Sequence, residues 1–259
     1  MSFSIEGKKI LVTGGARGIG GESARYFAQQ GAHVVTCDIR DEEGAKLAQE
    51  ATEAGPGRVI FRHMDVTDVA DIKAGVDFAA QQLGGLDAVV NAAEIMLLSR
   101  PEDTREQDWD EQMAVNARSV GFVCQAAFPH LREQGGSIVN VASGLALTHT
   151  PILSSAYSAS KGAIFSYTRT IALEWATYGI RCNSVNPLVA TPLMDEVRAT
   201  MSPEDREEWE LRVDRAVPLG RVGDVATDLA PVFAFLISDA SQYVTSQIIG
   251  VDGGLVTGR

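Results

Sequence analysis

Cysteine is scarce in this chain of 259 residues: Cys37, Cys124 and Cys182 are its only three, far apart and in or beside apolar stretches. An odd number at such distances excludes a disulfide framework and points to buried thiols. His33, His63, His130 and His149 show no ligand spacing, so no metal site is expected; they read as strand, helix-end or loop residues, His149 alone standing near a site mouth. Basic residues are also in short supply, 22 Lys and Arg against 34 Asp and Glu, which leaves a net charge of −12 and no basic stripe. That balance excludes nucleic acid and anionic membrane as expected partners. No apolar run reaches the length of a membrane span, and the opening MSFSIEGKK is not an apolar leader, so a cytoplasmic protein is expected. Linkers rich in Pro or Ser and internal repeats are likewise missing, and with 45% hydrophobic residues the chain 1–259 reads as one domain with a substantial core.

Glycine, by contrast, is placed with purpose. In KKILVTGGARGIGGESARYFAQQGAHVVTCD an apolar run, Ile10 to Val12, ends at Thr13, and Gly14, Gly18 and Gly20 open a helix with apolar Ala24, Phe27 and Ala28. A second strand from His33 to Cys37 ends in Asp38. Glycines in such a turn let the backbone approach a ligand closely, and the first-turn N–H groups with the helix dipole favour a pyrophosphate. A carboxylate closing the second strand suits the two hydroxyls of an adenosine ribose and repels a 2′-phosphate. Further strands are expected near 58–63, 86–91, 136–142, 180–186 and 247–251, alternating with helical patterns. The fold class is therefore α/β, a Rossmann-type, doubly wound parallel sheet of about seven strands.

Tyr157 and Lys161 lie four residues apart in AYSASKGAIFSYTRTIALEW, on one face of a helix. A free phenol titrates near ~10, so it becomes a useful acid and base at neutral pH only where a positive charge such as an ammonium stabilises the phenolate. The pair therefore reads as a proton-transfer device.

With Thr13-Gly14-Gly15-Ala16-Arg17-Gly18-Ile19-Gly20 matching TGxxxGxG, the chain goes on to Asp65-Val66, Asn91-Ala92-Ala93, Asn116, Ser143, Tyr157 with Lys161, Asn186-Pro187 and Val251-Asp252-Gly253-Gly254. In their order and spacing these resemble the compact branch of the short-chain dehydrogenase/reductase family over nearly the full length. The resemblance implies that Tyr157 exchanges a proton with the substrate oxygen as hydride passes to or from a nicotinamide, and that Ser143 holds the same oxygen. It implies that Lys161 lowers the phenol pKa and reaches the nicotinamide ribose, and that Asn116 holds a water relaying protons. Gly14, Arg17, Gly18, Ile19, Gly20, Asp38, Asp65, Val66, Asn91, Pro187 and Thr191 are the implied coenzyme contacts, with Tyr157 and Lys161. Asp38 points to NAD rather than NADP; Arg17 and Arg40 are basic neighbours of the kind that meet a 2′-phosphate, but Arg17 can pair with Asp38 instead.

Glycine is lost at three places where the family has it, leaving Glu94, Leu188 and Ser246. If those backbones need a positive φ, a side chain there costs ~1 kcal/mol or more, and Glu94 also brings negative charge toward a dinucleotide. Glu94 and Leu188 either reshape the substrate pocket or mark neutral variation at tolerant turns. The segment 188–215, interrupted by Pro192 and Pro203, reads as a mobile flap. Ser143, Leu145, Ile152, Leu153, Tyr157, Leu188, Val189 and Met194 are the expected substrate contacts, with Ile95, Met96 and Leu147 nearby. Their apolar character favours a hydrophobic or cyclic secondary alcohol and its ketone, although such residues would equally pack the flap shut. Two other readings stand beside this one: an NADPH-dependent 3-oxoacyl carrier-protein reductase, which net charge and Asp38 disfavour, and a non-catalytic dinucleotide sensor. Long helices at 104–132 and 156–178, apolar on more than one face through Phe122, Phe128, Phe165 and Trp175, with the family resemblance suggest a homotetramer.

Overall fold

The computed structural model describes residues 3–148, 153 and 155–256. Its centre is a parallel sheet of seven strands, β1 (Lys9–Thr13), β2 (His33–Asp38), β3 (Arg58–His63), β4 (Ala88–Asn91), β5 (Gly136–Val141), β6 (Ile180–Pro187) and β7 (Ile248–Val251), in the order β3-β2-β1-β4-β5-β6-β7. Every expected strand is present with its ends moved by no more than two residues. These strands are legible because a sheet covered on both faces needs apolar, β-branched runs rather than strict alternation.

Neighbouring residues on a strand feed opposite faces. Ile10 and Val12 join Phe27, Val34 and Phe233 in one core, under α1 (Gly18–Gln29), α2 (Asp41–Ala54) and α9 (Ala230–Ile237). Leu11 joins Val35, Val89, Ile138 and Ile164 in the other, under α3 (Val69–Leu83), α5 (Ser119–Leu131) and α6 (Ser155–Glu174). A polar chain crosses the second core. Asn91 Nδ2 donates to Asn140 Oδ1 at 2.8 Å, and Asn140 Nδ2 donates to Thr168 Oγ1 on α6 at 2.9 Å.

Strand order reverses between β1 and β4, whose ends pair Thr13 with Asn91. In open parallel sheets a crevice forms at this reversal, beyond the carboxyl ends of the strands, and receives ligands. Connections that matter to the site leave from that edge. Between α4 (Glu106–Gln112) and α5 the helix widens into a π-helical turn, Met113–Arg118, which carries Asn116. The segment after β6 differs from the interrupted flap expected of it. It forms α7 (Pro192–Thr200) and α8 (Pro203–Trp209), each opening on its proline behind a hydroxyl cap: Thr191 Oγ1 accepts from Met194 N at 3.2 Å, Ser202 Oγ from Asp205 N at 3.1 Å. Proline lacks an N–H where a helix start leaves one unused, so here it begins helices rather than breaking them.

Of the three lost glycines, only Ser246 needs the left-handed region, at φ 63°; Glu94 and Leu188 have ordinary negative φ. The strain argument therefore holds for Ser246 alone. Among the described residues no helix is long and apolar enough to cross a membrane, and no cluster of three metal-ligating side chains is present. All three cysteines are free and buried, and burial pushes the Cys37 and Cys124 thiols up to about 12.

Candidate active site

Two adjoining spaces open at the carboxyl edge of the sheet. The first is a long cleft bordered by Gly14, Arg17, Gly18 and Ile19 of the glycine turn, by Asp38 after β2, and by Asp65 and Val66 after β3. Here the backbone must turn sharply, with Gly14 and Gly18 at φ 66° and 57°. A Cβ at Gly20 would stand 2.3 Å from the Gly14 carbonyl oxygen, so the first turn of α1 lies against β1 only because that side chain is missing. Asp38 does not meet Arg17, contrary to expectation. Its Oδ2 accepts from Ala16 N at 3.1 Å and its Oδ1 from Arg40 N at 3.1 Å. Arg17 instead grips Glu196 on α7 with both guanidinium NH2 groups, one of them 2.8 Å from Oε2, and Arg40 pairs with Glu43. Asp65 accepts from Thr67 N and Oγ1 at 2.8 and 2.7 Å. Of the other expected coenzyme contacts, Tyr157 and Pro187 border the adjoining cavity, Gly20 and Lys161 line neither space, and the Asn91 side chain turns into the sheet toward Asn140 and Cys124.

The second space is an apolar cavity that shares Ile19, Glu94, Met96 and Thr191 with the cleft. Leu145, Leu188, Val189 and Met194, expected as substrate contacts, line it, and so does Pro187, expected as a coenzyme contact. Trp209, Val213, Leu255 and Val256 line it too, and the sequence reading missed them. For Trp209 and Val213 the signal was apolar side chains spaced along an otherwise charged 203–215 stretch; they pack as a small cluster with Met96, Leu145, Leu188 and Leu255. Leu153 is not among the lining residues; at φ 30° it turns the chain, and its carbonyl accepts from Ser99 N at 2.8 Å. Leu147 is 38% exposed. Ile152 and His149 lie outside the described residues.

Tyr157 and Ser143 border this cavity, and α6 sets Tyr157 and Lys161 on one face, both buried. Lys161 Nζ donates to the Val141 carbonyl at 3.0 Å and meets Glu94 Oε2 at 2.6 Å. Tyr157 Oη donates to the same carboxylate oxygen at 3.1 Å. The expected lowering of the phenol pKa by Lys161 is therefore reversed here. Burial pushes Tyr157 well above the usual phenol range and Glu94 pushes the same way, with a hydrogen bond to Ser143 acting against them. Asn116, fully buried, brackets Ile95 by accepting from its N–H and donating to its carbonyl, both at 2.9 Å, and it also donates to Ser160 Oγ at 3.1 Å. Its side chain thus positions the segment after β4 that carries Glu94, and these three hydrogen bonds go to Ile95 and Ser160 rather than to Lys161. The arrangement is a buried acid–base pair between a glycine-turn cleft and an apolar pocket, which defines a dinucleotide-dependent oxidoreductase site.

A family model described as Enoyl-(Acyl carrier protein) reductase matches residues 14–256. The 3-oxoacyl-(acyl-carrier-protein) reductase FabG of Thermotoga maritima is 39% identical over 97% of this chain and 99% of its own length. A 3-alpha-(or 20-beta)-hydroxysteroid dehydrogenase of Mycobacterium bovis is 37% identical over 100% of this chain and 93% of its own. The crystal structure of levodione reductase superposes with a TM-score of 0.89 at 29% identity, covering 96% of this chain and 97% of that one. The chain belongs to the short-chain dehydrogenase/reductase family.

Proposed function

We propose that this oxidoreductase interconverts a hydrophobic or cyclic secondary alcohol and its ketone, with NAD as coenzyme and Tyr157 as general acid and base. The observation that carries the reading is the Tyr157 hydroxyl, buried at the wall of a mainly apolar cavity with Ser143 beside it and the glycine-turn cleft adjoining. The glycine turn is the feature that fits a dinucleotide, because a Cβ at Gly20 would fill the space the turn uses. Gly14, Gly18 and Ile19 would hold the pyrophosphate end, Asp38 the adenosine ribose, Asp65 and Val66 the adenine, and Pro187 and Thr191 the nicotinamide end. When bound, the coenzyme supplies or accepts the hydride. Ser143 orients the substrate oxygen, Tyr157 gives or takes its proton, and the leucines, methionine and Trp209 exclude water from that exchange.

A second reading has its own support in the FabG relative: reduction of a 3-oxoacyl carrier-protein substrate with NADPH. Asp38 at the edge of the cleft and the net charge of −12 favour the first, since a 2′-phosphate and an acidic carrier would both meet like charge. Turnover with NAD and NADP across cyclic and aryl alcohols, their ketones and a 3-oxoacyl thioester separates them. NAD-linked oxidation or reduction of the cyclic pairs supports the first, NADPH-only thioester reduction the second, and binding without turnover a sensor. Tyr157→Phe should lower the rate by about 10²–10⁴-fold. The same preparation tests the proposed homotetramer by light scattering.

A further inference from the structure

Glu94 is the charged group at the heart of the site that no motif accounts for. Its Oε2 lies 2.6 Å from Lys161 Nζ and 3.1 Å from Tyr157 Oη, and its side chain borders both the cavity and the cleft. We propose that Glu94 is a third ionisable member of the proton-transfer group, occupying the Lys161 ammonium and accepting the Tyr157 hydroxyl hydrogen, so that Tyr157 stands as a protonated donor and the site favours carbonyl reduction at neutral pH. The proposal rests on the reading above, in which Tyr157 exchanges a proton with the substrate oxygen.

The geometry leaves little choice of protonation. A carboxylate is an acceptor only, so the contact between Glu94 and Tyr157 is a hydrogen bond while the phenol keeps its hydrogen and a repulsion between two anions once it is lost. Lys161, which alone would favour the phenolate, directs two of its three ammonium hydrogens to Glu94 and the Val141 carbonyl. The other charged groups do not restore the balance. Asp252, across the cavity, is a further anion, held by Gly254 N and Val256 N at 3.0 and 3.1 Å. Around the cleft Arg17 is taken by Glu196, Arg40 by Glu43 and Arg105 by Asp108, while Asp38, Asp65 and Glu111 add negative charge. Reduction suits this state. With a reduced coenzyme bound, its hydride would pass to the substrate carbon, leaving the coenzyme oxidised, and Tyr157 would give its proton to the substrate oxygen and regain one from solvent. In the oxidising direction Tyr157 must first give up its proton beside a carboxylate.

Absorbance titration of the coenzyme-free protein at the phenolate band reads this directly, with Tyr157→Phe identifying the contribution of Tyr157. Glu94→Gln keeps the shape and removes the charge; its Tyr157 step should fall by about 1–3 pH units relative to the unaltered protein. The rate of alcohol oxidation relative to ketone reduction at neutral pH should rise at least about tenfold, one pH unit being a factor of ten in the phenolate fraction. Glu94→Asp should keep the unaltered titration. If folded Glu94→Gln titrates like the unaltered protein, the proposal is overturned; should that variant fail to fold, Glu94→Gly carries the same test. Failure of the functional reading looks different: the titrations come out as described, but no alcohol or ketone is turned over.

Discussion

Replacing Lys161 by Met tests the central ion pair without any substrate. Lys161 is 1% exposed, and its ammonium is matched by Glu94 at 2.6 Å and the Val141 carbonyl at 3.0 Å. Met fills nearly the same volume, so little cavity cost is added. What changes is that the Glu94 carboxylate, only 16% exposed, faces the Tyr157 hydroxyl with no cation. Removing one partner of a buried pair costs about 3–5 kcal/mol; because Glu94 keeps some contact with the cleft, the lower end, about 3 kcal/mol, is expected. For a chain of this size about 1 kcal/mol moves Tm by about 2–4 °C, so Lys161→Met should melt about 6–12 °C lower. The double variant Lys161→Met/Glu94→Gln should recover most of that loss, since no charge is then stranded. Circular dichroism of urea and thermal unfolding at one protein concentration measures both. A single variant losing under about 1 kcal/mol, or a double variant no more stable than the single, refutes the reasoning.

Ser246→Gly should stabilise the protein by about 1 kcal/mol, because Ser246 sits at φ 63° before β7, whereas Ser246→Ala should not; thermal melts distinguish them. Gly20→Ala drives a Cβ to 2.3 Å from a backbone oxygen that cannot step aside, so dinucleotide affinity, read by coenzyme fluorescence, should fall about tenfold or more, a cost of about 1.4 kcal/mol. Asp228 is held down to about 2 by its hydrogen bond with Arg221 and by the Asp224 amide. Its folded-state pKa is depressed, so its contribution is present above the unfolded value near ~3.9 and disappears as pH falls through the folded one. Asp228→Asn should therefore weaken the acid-side slope of stability in that window, followed by melts at stepped pH.

The seven strands and the glycine turn were legible because each leaves a local trace. Both-face burial demands β-branched runs, the approach of α1 to the end of β1 demands a missing side chain at Gly20, and the approach of the turn to Ala92 and Ala93 demands one at Gly14. The helix face carrying Tyr157 and Lys161 followed from spacing alone. What the sequence could not show were pairings made across the fold. Glu94 is 63 residues from Tyr157, and nothing local says that the turn after β4 aims its side chain at α6. Arg17 lies nearest in sequence to Asp38 among the cleft acids, yet Asp38 is taken by the Ala16 and Arg40 amides, and a helix arriving from residue 192 onward supplies the true partner. Pro192 and Pro203 misled because a proline is hostile inside a helix and welcome at its first residue, a distinction that turns on recognising Thr191 and Ser202 as caps.

The chain of amides from Asn91 through Asn140 to Thr168 bears on how accurately the reactive oxygen is held. Methyl groups in a core slide past one another at small cost, but a side-chain amide bonded at 2.8 Å has one setting. Thr168 sits on the helix that carries Tyr157, so the network indexes that helix along its own axis against β4 and β5. A buried polar seam thus acts as the detent that fixes the distance between the phenol and the mouth of the cleft, and loosening it would blur catalysis before it unfolded the protein.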